Sequence, residues 1–323
     1  MKGNILILSA GRRVSLVKAF KESVQRAGLN IQIHAGDAKP ELSSACCISD
    51  SSVQLPYINH ADFIPFLLNY CESNNISVII PTIDTELLML SKHLNEFSDI
   101  NTQVLVSDLE FIQKCRNKRL THQFFEEHQI AVAREMDKKQ MTYPAFIKPI
   151  DGSSSTHIYY APEAKYLPPF VLEDDRFMAL EYLDRKQHDE YTIDTYYNKE
   201  GALCCAVPRK RIETRGGEIS KGFTDKNFLV EFVRDKFSSM AGWRGCITMQ
   251  FFVNTESSKV TGIEINPRFG GGYPLSYLAG ADFPLWIIKE YILNENVNWF
   301  NDWEDHLLML RYDDEILIHD FKH

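Results

Sequence analysis

The apolar positions divide the chain into a first part in which strands and helices alternate. Asn4 to Ser9 is a short run rich in Ile and Leu and predicts a buried strand. Past Gly11, residues Val14, Val17, Phe20, Val24 and Ala27 recur at helical spacing, and Gly28 is placed to stop that helix. Ile31 to His34 predicts a second strand that closes at Gly36-Asp37. A helix near 61–72 leads into a third strand over Ser77 to Pro81. Asp84 is positioned to cap a helix running through Leu94, and Val104 to Val106 predicts a fourth strand. Such alternation predicts a parallel, doubly wound sheet.

The pattern then changes. Ser107 and Glu110 form a capping box, which predicts one long helix reaching about His128. The boundary between two domains falls near residue 108. From 143 onward short strands dominate, with hairpin turns at 151–156, 197–201 and 254–259, so the second part reads as α+β. Residues 161–175 read as a surface turn region. Leu307 to Leu310 and Glu315 to Ile318 predict a terminal hairpin.

Composition narrows the function classes. A chain of 323 residues, 44% of them apolar, builds a sizeable core without disulfide staples and has the length of about two domains. The net charge of −9 argues against a dedicated nucleic-acid binder and against a polybasic membrane anchor. The seven cysteines are odd in number and none is spaced CxxC, so they read as reduced, mostly buried thiols of a cytoplasmic protein. No apolar run reaches the ~18 residues of a membrane span, and the first one is too short for a signal sequence.

Candidate chemistry concentrates in Val260 to Arg268. In a strand, Glu264 and Asn266 share one face and Ile263 and Ile265 the other, and Pro267 ends the run beside Arg268. A hairpin turn centred on Ser257 pairs residues whose numbers sum to 514, setting Gln250 against Glu264 and Phe251 against Ile263. Gln250, Glu264 and Asn266 then converge, and oxygen ligands of this kind suit a hard divalent cation. The same residues also fit a polar strand face held by its own hydrogen bonds. The following run, Phe269 to Pro274, contains three glycines that leave backbone N–H groups open to an anion. It fits a plain turn as well.

Two lysines stand out. Lys148 interrupts the apolar strand Ala145 to Pro149, where a cation is costly unless it meets an anion or reaches solvent at an edge. Lys118 lies in the predicted long helix. The small-residue turn Asp151 to Thr156 reads as a hairpin with free amides and hydroxyls, yet it carries neither GxGxxG nor GxxxxGK[ST]. Ala179 to Leu183 is a strand running into a linker whose main chain could hold an adenine, and Glu190 could accept ribose hydroxyls. Pro208 to Arg215 is basic and reads either as a solvated loop or as a phosphate clamp through Arg209 and Arg211. There is no zinc spacing and no GxSxG.

In order and spacing, Lys118, Phe146-Ile147-Lys148-Pro149, the small-residue turn, Glu181-Tyr182-Leu183, Glu190, Gln250 and Glu264-x-Asn266-x-Arg268 resemble the ATP-grasp superfamily. Within it, Glu264 to Pro274, Val207 to Arg211 and Gly217 to Gly222 resemble single units of the carbamoyl-phosphate synthase large chain. The resemblance covers nearly the whole chain. It implies a Rossmann-like pre-ATP-grasp domain over 1–108 and an ATP-grasp domain over 109–323, with a lid over roughly 118–183. It implies ATP and Mg²⁺ as cofactors. Lys118, Lys148, Gly152, Ser153 and Ser154 would hold phosphates. Glu181, Tyr182 and Leu183 would meet the adenine, and Glu190 the ribose. Gln250, Glu264 and Asn266 would surround Mg²⁺, and Arg268, Arg211 and Arg209 would act on the transferred phosphoryl group. The flap is poorer in glycine than the family's usual one. With one ATP-grasp unit and no glutaminase segment, full carbamoyl-phosphate synthesis is not expected.

The activity so implied is an ADP-forming ligase joining a carboxylate to an amine or thiol through an acyl phosphate. A non-catalytic ATP-binding module and a bicarbonate-phosphorylating enzyme are the alternatives. Expected partners are small carboxylates and amines and, at the base rate, a second copy of the chain. Arg12 or Arg13 would suit a substrate carboxylate and Asp84 or Glu86 an ammonium group, although each also fits a solvated loop or a helix cap.

Overall fold

In the computed structural model, which describes residues 3–152 and 157–321, five parallel strands form the first sheet. They are β1 (Asn4–Ile7), β2 (Ile33–Asp37), β3 (Ser51–Gln54), β4 (Ile76–Ile80) and β5 (Gln103–Val104). Their connections carry α1 (Val14–Arg26), α2 (Ser44–Ile48), α3 (Phe63–Ser73), α4 (Asp84–Lys92) and α5 (Leu94–Asp99). The order is β3-β2-β1-β4-β5, so the chain winds outward from β1 in one direction and from β4 in the other. The winding reverses between the carboxyl ends of β1 and β4, where sheets of this topology leave a crevice. Side chains alternate across the sheet: Ile5 and Ile7 pack towards α1, Leu6 and Leu8 towards α3 and α4. Helices cover both faces, as a parallel sheet requires. β3 has no counterpart in the apolar pattern, because this edge strand buries only part of its Ser-Ser-Val-Gln sequence.

The long helix expected after residue 107 is two helices, α6 (Leu109–Arg116) and α7 (Lys118–Glu127). Asn117 between them is extended, and its side chain accepts hydrogen bonds from the N–H groups of Arg119 and Leu120, capping α7. The α6 cap is Asp108, which accepts from the Phe111 N–H, and not Ser107, whose hydroxyl accepts from the Arg244 N–H. A four-stranded antiparallel sheet of order β7-β10-β8-β9 comes next. The chain runs through β6 (Ala131–Val132), β7 (Glu135–Met136), β8 (Ala145–Pro149), β9 (Tyr159–Ala161), α8 (Pro169–Glu173) and β10 (Phe177–Glu181). Residues 161–175, expected as a turn region, thus contain the end of β9, a 3-10 turn over Ala164–Tyr166 and α8.

The largest sheet has the order β16-β13-β12-β11-β14-β15-β6, antiparallel except where β6 runs along β15. Its remaining strands and helices are β11 (His188–Tyr197), β12 (Leu203–Arg215), β13 (Glu218–Thr224), α9 (Leu229–Phe237), β14 (Gly245–Asn254), β15 (Val260–Asn266), α10 (Tyr273–Leu278), α11 (Phe283–Ile288) and β16 (Leu308–Leu310). One face is apolar: Ile193, Ile247, Met249, Phe251 and Ile265 pack against Phe124 and Phe125 of α7 and Val233 and Phe237 of α9. The basic run 208–215 lies within β12 and is not a loop. The terminal hairpin does not form: Leu308–Leu310 pairs with β13, and 315–318 is not a strand.

The first sheet does not stand apart. Val17, Phe20 and Val24 of α1 share a core with Phe283, Trp286 and Ile287 of α11. Ser23 Oγ donates to Asp282 at 2.8 Å, and Arg26 pairs with Asp282 at 2.7 Å. All seven cysteines are free, and no described helix is long and apolar enough to cross a membrane.

Candidate active site

Because strand side chains alternate, the apolar face of the largest sheet fixes what stands on the other one. Arg209 and Arg211 of β12, Glu190, Thr192 and Asp194 of β11, Thr248 and Gln250 of β14, and Glu264 and Asn266 of β15 all lie on that second face. The ladder sets Thr192 opposite both Arg209 and Gln250, Asp194 opposite Thr248, Gln250 opposite Glu264 and Thr248 opposite Asn266. The register summing to 514 holds from 248 to 250 and then slips by one. Phe251 faces Gly262 instead of Ile263, which leaves Ile263 as the extra residue of a bulge beside Glu264. Gly262 has no room for a side chain because the Phe125 ring lies against it.

Gln250 Nε2 donates to Glu264 Oε1 at 2.7 Å, and Asn266 Nδ2 donates to the same oxygen at 2.9 Å. Arg211 donates to Gln250 Oε1 at 3.1 Å. Among the described residues nothing donates to Glu264 Oε2 or Asn266 Oδ1. Two oxygens from neighbouring positions are thus open, a donor set that fits a hard cation. Gln250 is not a third ligand in this arrangement. Its oxygen is committed to a guanidinium and its nitrogen to a carboxylate, an orientation fixed because the former only donates and the latter only accepts.

Pro267 ends the ladder and Arg268 turns towards the first sheet. Its Nε and Nη2 bind Asp84 Oδ1 and Oδ2 at 2.9 and 2.7 Å. Burial works against the Arg268 charge, but Asp84 and Glu264 together outweigh it and hold the guanidinium above its ordinary pKa. Asp84 therefore does not cap α4. Glu86 does that work, accepting from the Thr82 and Ile83 N–H groups and from Ser9 Oγ at 2.6, 3.1 and 2.7 Å. Glu86 is wholly buried and pushed up to about 7 by that burial, so it presents nothing to an ammonium group.

Lys118, at the first turn of α7, donates Nζ to the Gly152 carbonyl at 2.9 Å. Lys148 on β8 is buried, and among the described residues its ammonium forms no hydrogen bond or ion pair. Burial lowers it to about 8, against the opposing pull of Glu264. Burial lowers Lys118 too. His122 is brought to about 4 by burial and by these two lysines, so it stays neutral near pH 7. Asp84, Lys118, Gly152, Glu264 and Asn266 line one cleft. A buried lysine whose ammonium pairs with no carboxylate among the described residues, close to the open oxygens of Glu264 and Asn266, fits a nucleotide phosphate chain with its metal.

The other expected residues are less uniformly placed. Ser153 and Ser154 lie outside the described residues. Glu181 is tied to the segment before β7: its N–H donates to the Arg134 carbonyl and its carboxylate accepts from the Arg134 N–H, each at 3.0 Å. Tyr182 and Leu183 follow β10 and, among the described residues, their main-chain groups have no partner. The Tyr182 ring rests against Tyr160 at 4.6 Å. Glu190 is held by Arg211 at 2.9 Å and Arg185 at 3.3 Å. Arg211 thus braces Glu190 and Gln250. Arg209 is no phosphate clamp: it is 1% exposed and bound bidentately to Asp194 at 2.8 and 3.0 Å. Asp194 also accepts from Ser276 at 2.6 Å, and Thr248 Oγ1 lies 3.2 Å from Asp194 and 3.1 Å from the Arg268 carbonyl. Asp194 and Thr248 were not singled out from the sequence, although the alternation Glu190, Thr192, Asp194 already marks a polar face.

Residues 173–309 match the family model described as ATP-grasp in the biosynthetic pathway with Ter operon, and residues 5–105 match the PylC-like N-terminal domain. The chain therefore carries the ATP-grasp fold behind a PylC-like amino-terminal sheet. Solved structures agree on the fold. The biotin carboxylase domain of Hydrogenobacter thermophilus 2-oxoglutarate carboxylase, solved with MgADP and bicarbonate, superposes with a TM-score of 0.72 at 11% identity, over 94% of this chain and 73% of that one. The L-amino acid ligase of Bacillus licheniformis gives 0.66 at 16%, over 90% and 74%. Rhizobium etli pyruvate carboxylase gives 0.64 at 12%, over 86% of this chain but 27% of that one, so the present chain spans about a quarter of its length. No curated protein sequence matches.

Proposed function

We propose that this protein is an ATP- and Mg²⁺-dependent ligase that joins a carboxylate to an amine or thiol through an acyl phosphate and releases ADP and phosphate. The observation that carries the reading is one cleft lined by Lys118 and by Glu264 and Asn266 with their open oxygens, with Lys148 and Arg268 close enough to feel the Glu264 charge. A carboxylate is a poor acylating agent because oxide would have to leave, and phosphorylation supplies a good leaving group. The metal, held by Glu264 and Asn266, would neutralise phosphate charge. Lys148 and Lys118 would bind the phosphate chain, and Arg268, positioned by Asp84, would face the oxygens of the phosphoryl group in flight. The N–H groups of Gly270, Gly271 and Gly272, which make no hydrogen bond among the described residues, would stabilise the acyl phosphate next to Arg268. The amine then attacks the acyl carbon, the acyl–oxygen bond breaks and phosphate leaves.

Two measurements test this. Nucleotide analysis of a turnover mixture should show ADP, and AMP with pyrophosphate would refute the mechanism. Glu264→Ala should stay folded and lose Mg²⁺-dependent turnover by on the order of 10²–10³-fold; near-normal activity would remove the metal role. A bicarbonate-phosphorylating enzyme is the second reading, favoured by the likeness to a carboxylase domain solved with bicarbonate. Bicarbonate-stimulated ADP release without any organic acid would select it.

A further inference from the structure

The crevice at the carboxyl ends of β1 and β4 contains an imbalance of charge. Two ion pairs line it. Arg268 is closed by Asp84 on the side of β4, and Arg311 donates to Glu218 at 2.9 Å on the side of β13. Each pair is neutral. Between them stands Arg13, at the start of α1, and among the described residues its guanidinium makes one hydrogen bond, to the Thr82 carbonyl at 3.1 Å. Among the described residues no carboxylate lies within ion-pairing distance of it. Arg13 is half-buried, and it feels Arg268, Glu218, Asp84 and Arg311 together. Burial, with Arg268 next in weight, brings its pKa down to about 10.

The glycine loop closes the opposite wall. Gly271 lies against the Glu218 carboxylate, which a side chain there would displace, and Gly272 lies against Ile219 and the buried Arg209 guanidinium, where a side chain would collide. The loop therefore passes close by with its N–H groups free. The crevice holds two neutral pairs, the Arg13 guanidinium with the buried Glu86 behind Thr82, and three N–H groups that have no partner among the described residues. Arg12, exposed next door, adds positive charge at the entrance. Glu86 spends its oxygens on Ser9, Thr82 and Ile83, so Arg13 keeps free donors, and a guanidinium presents the planar pair that a carboxylate matches.

We propose that Arg13 is the residue that selects the organic substrate, binding a carboxylate of it in the crevice between β1, β4 and the glycine loop. This rests on the ligase reading and adds to it the residue through which the first sheet takes part. The carboxylate belongs either to the acid that is phosphorylated or to an amino acid acting as the amine, and the test separates these.

Calorimetric titration with succinate, L-glutamate and L-alanine, each beside its neutral amide, should be made with and without MgADP. At least one carboxylate should bind the native protein, and its amide should bind at least tenfold more weakly. Arg13→Gln should weaken the carboxylate at least tenfold with ADP affinity and circular dichroism unchanged, and Arg13→Lys should restore part of the loss. In phosphate-release assays the KM that rises in Arg13→Gln, that of the acid or that of the amine, identifies the reactant carrying the bound group, while kcat moves little. Carboxylate affinity unchanged in both variants, or no binding of any carboxylate to the native protein, would overturn the proposal. Binding that depends on Arg13 without any ADP formation would remove the ligase reading and leave the site standing. ADP formation with KM values indifferent to Arg13 would do the reverse.

Discussion

Lys148 is an ammonium on a buried strand between Ile147 and Pro149, and its pH behaviour follows from that position. Burial lowers its pKa to about 8, so below pH 8 it is charged and ready for phosphate. Above pH 8 the free protein holds it neutral, and binding must first capture a proton. ADP affinity should therefore be flat up to about pH 8 and then fall by up to about tenfold per pH unit, as titrations of ADP at pH 7 and 9.5 would show. Lys148→Met should bind weakly and lose most of that dependence. The same shift has the opposite sign for folding. The unfolded chain holds the proton more tightly between about pH 8 and 10.4, so without ligand this group makes stability rise with pH across that window. The lysine was visible in the sequence as a charge inside an apolar strand. That its ammonium has no partner among the described residues was not, because that depends on where α7 and β15 come to lie.

At the scale of elements, the polar face of the largest sheet is held by one buried network. Asp194 on β11 binds Arg209 on β12, Ser276 on α10 and Thr248 on β14. Through Thr248 and Arg209 it sets the Arg268 carbonyl and the glycine loop. Removing the carboxylate would leave a fully buried guanidinium uncompensated, which typically costs about 3–5 kcal/mol. Asp194→Ala should lower the chemical-denaturation midpoint accordingly, and any folded fraction should lose turnover more than nucleotide binding. The alternation along β14 and β15 made Gln250, Glu264 and Asn266 legible as one face. The bulge at Ile263 was not legible, because it forms where Gly262 meets Phe125, a ring from another element. The break at Asn117 likewise went unread. Helical spacing continues across it, and what decides is the docking of the Lys118 N–H on the Ile150 carbonyl at 2.7 Å.

For the whole molecule, the amino-terminal sheet and the carboxy-terminal helices make one core. Phe20 and Val24 of α1 lie in the same apolar cluster as Phe283 and Trp286 of α11. A fragment ending at residue 108 would expose that face of α1 and leave Ser23 and Arg26 without Asp282. Expressed alone it should show no cooperative thermal transition and poor amide dispersion, whereas the full chain should unfold with the first sheet and α11 together. A fragment that melts sharply would show the sheet to be a self-sufficient domain. The cleft has the same dependence, since the Arg268–Asp84 pair joins positions 184 residues apart.

Local periodicity alone determined the parallel sheet, the paired strands of the second part and the face that carries Gln250, Glu264 and Asn266, because alternation and helical spacing are properties of neighbouring residues. Tertiary structure alone decided which of those groups are free to act. It turned the Gln250 oxygen towards Arg211, buried Arg209 on Asp194, set Asp84 on Arg268 and left Arg13 with no ion pair among the described residues. Each of these outcomes is an electrostatic balance among segments distant in the chain, and no pattern within a segment encodes the charge it will face.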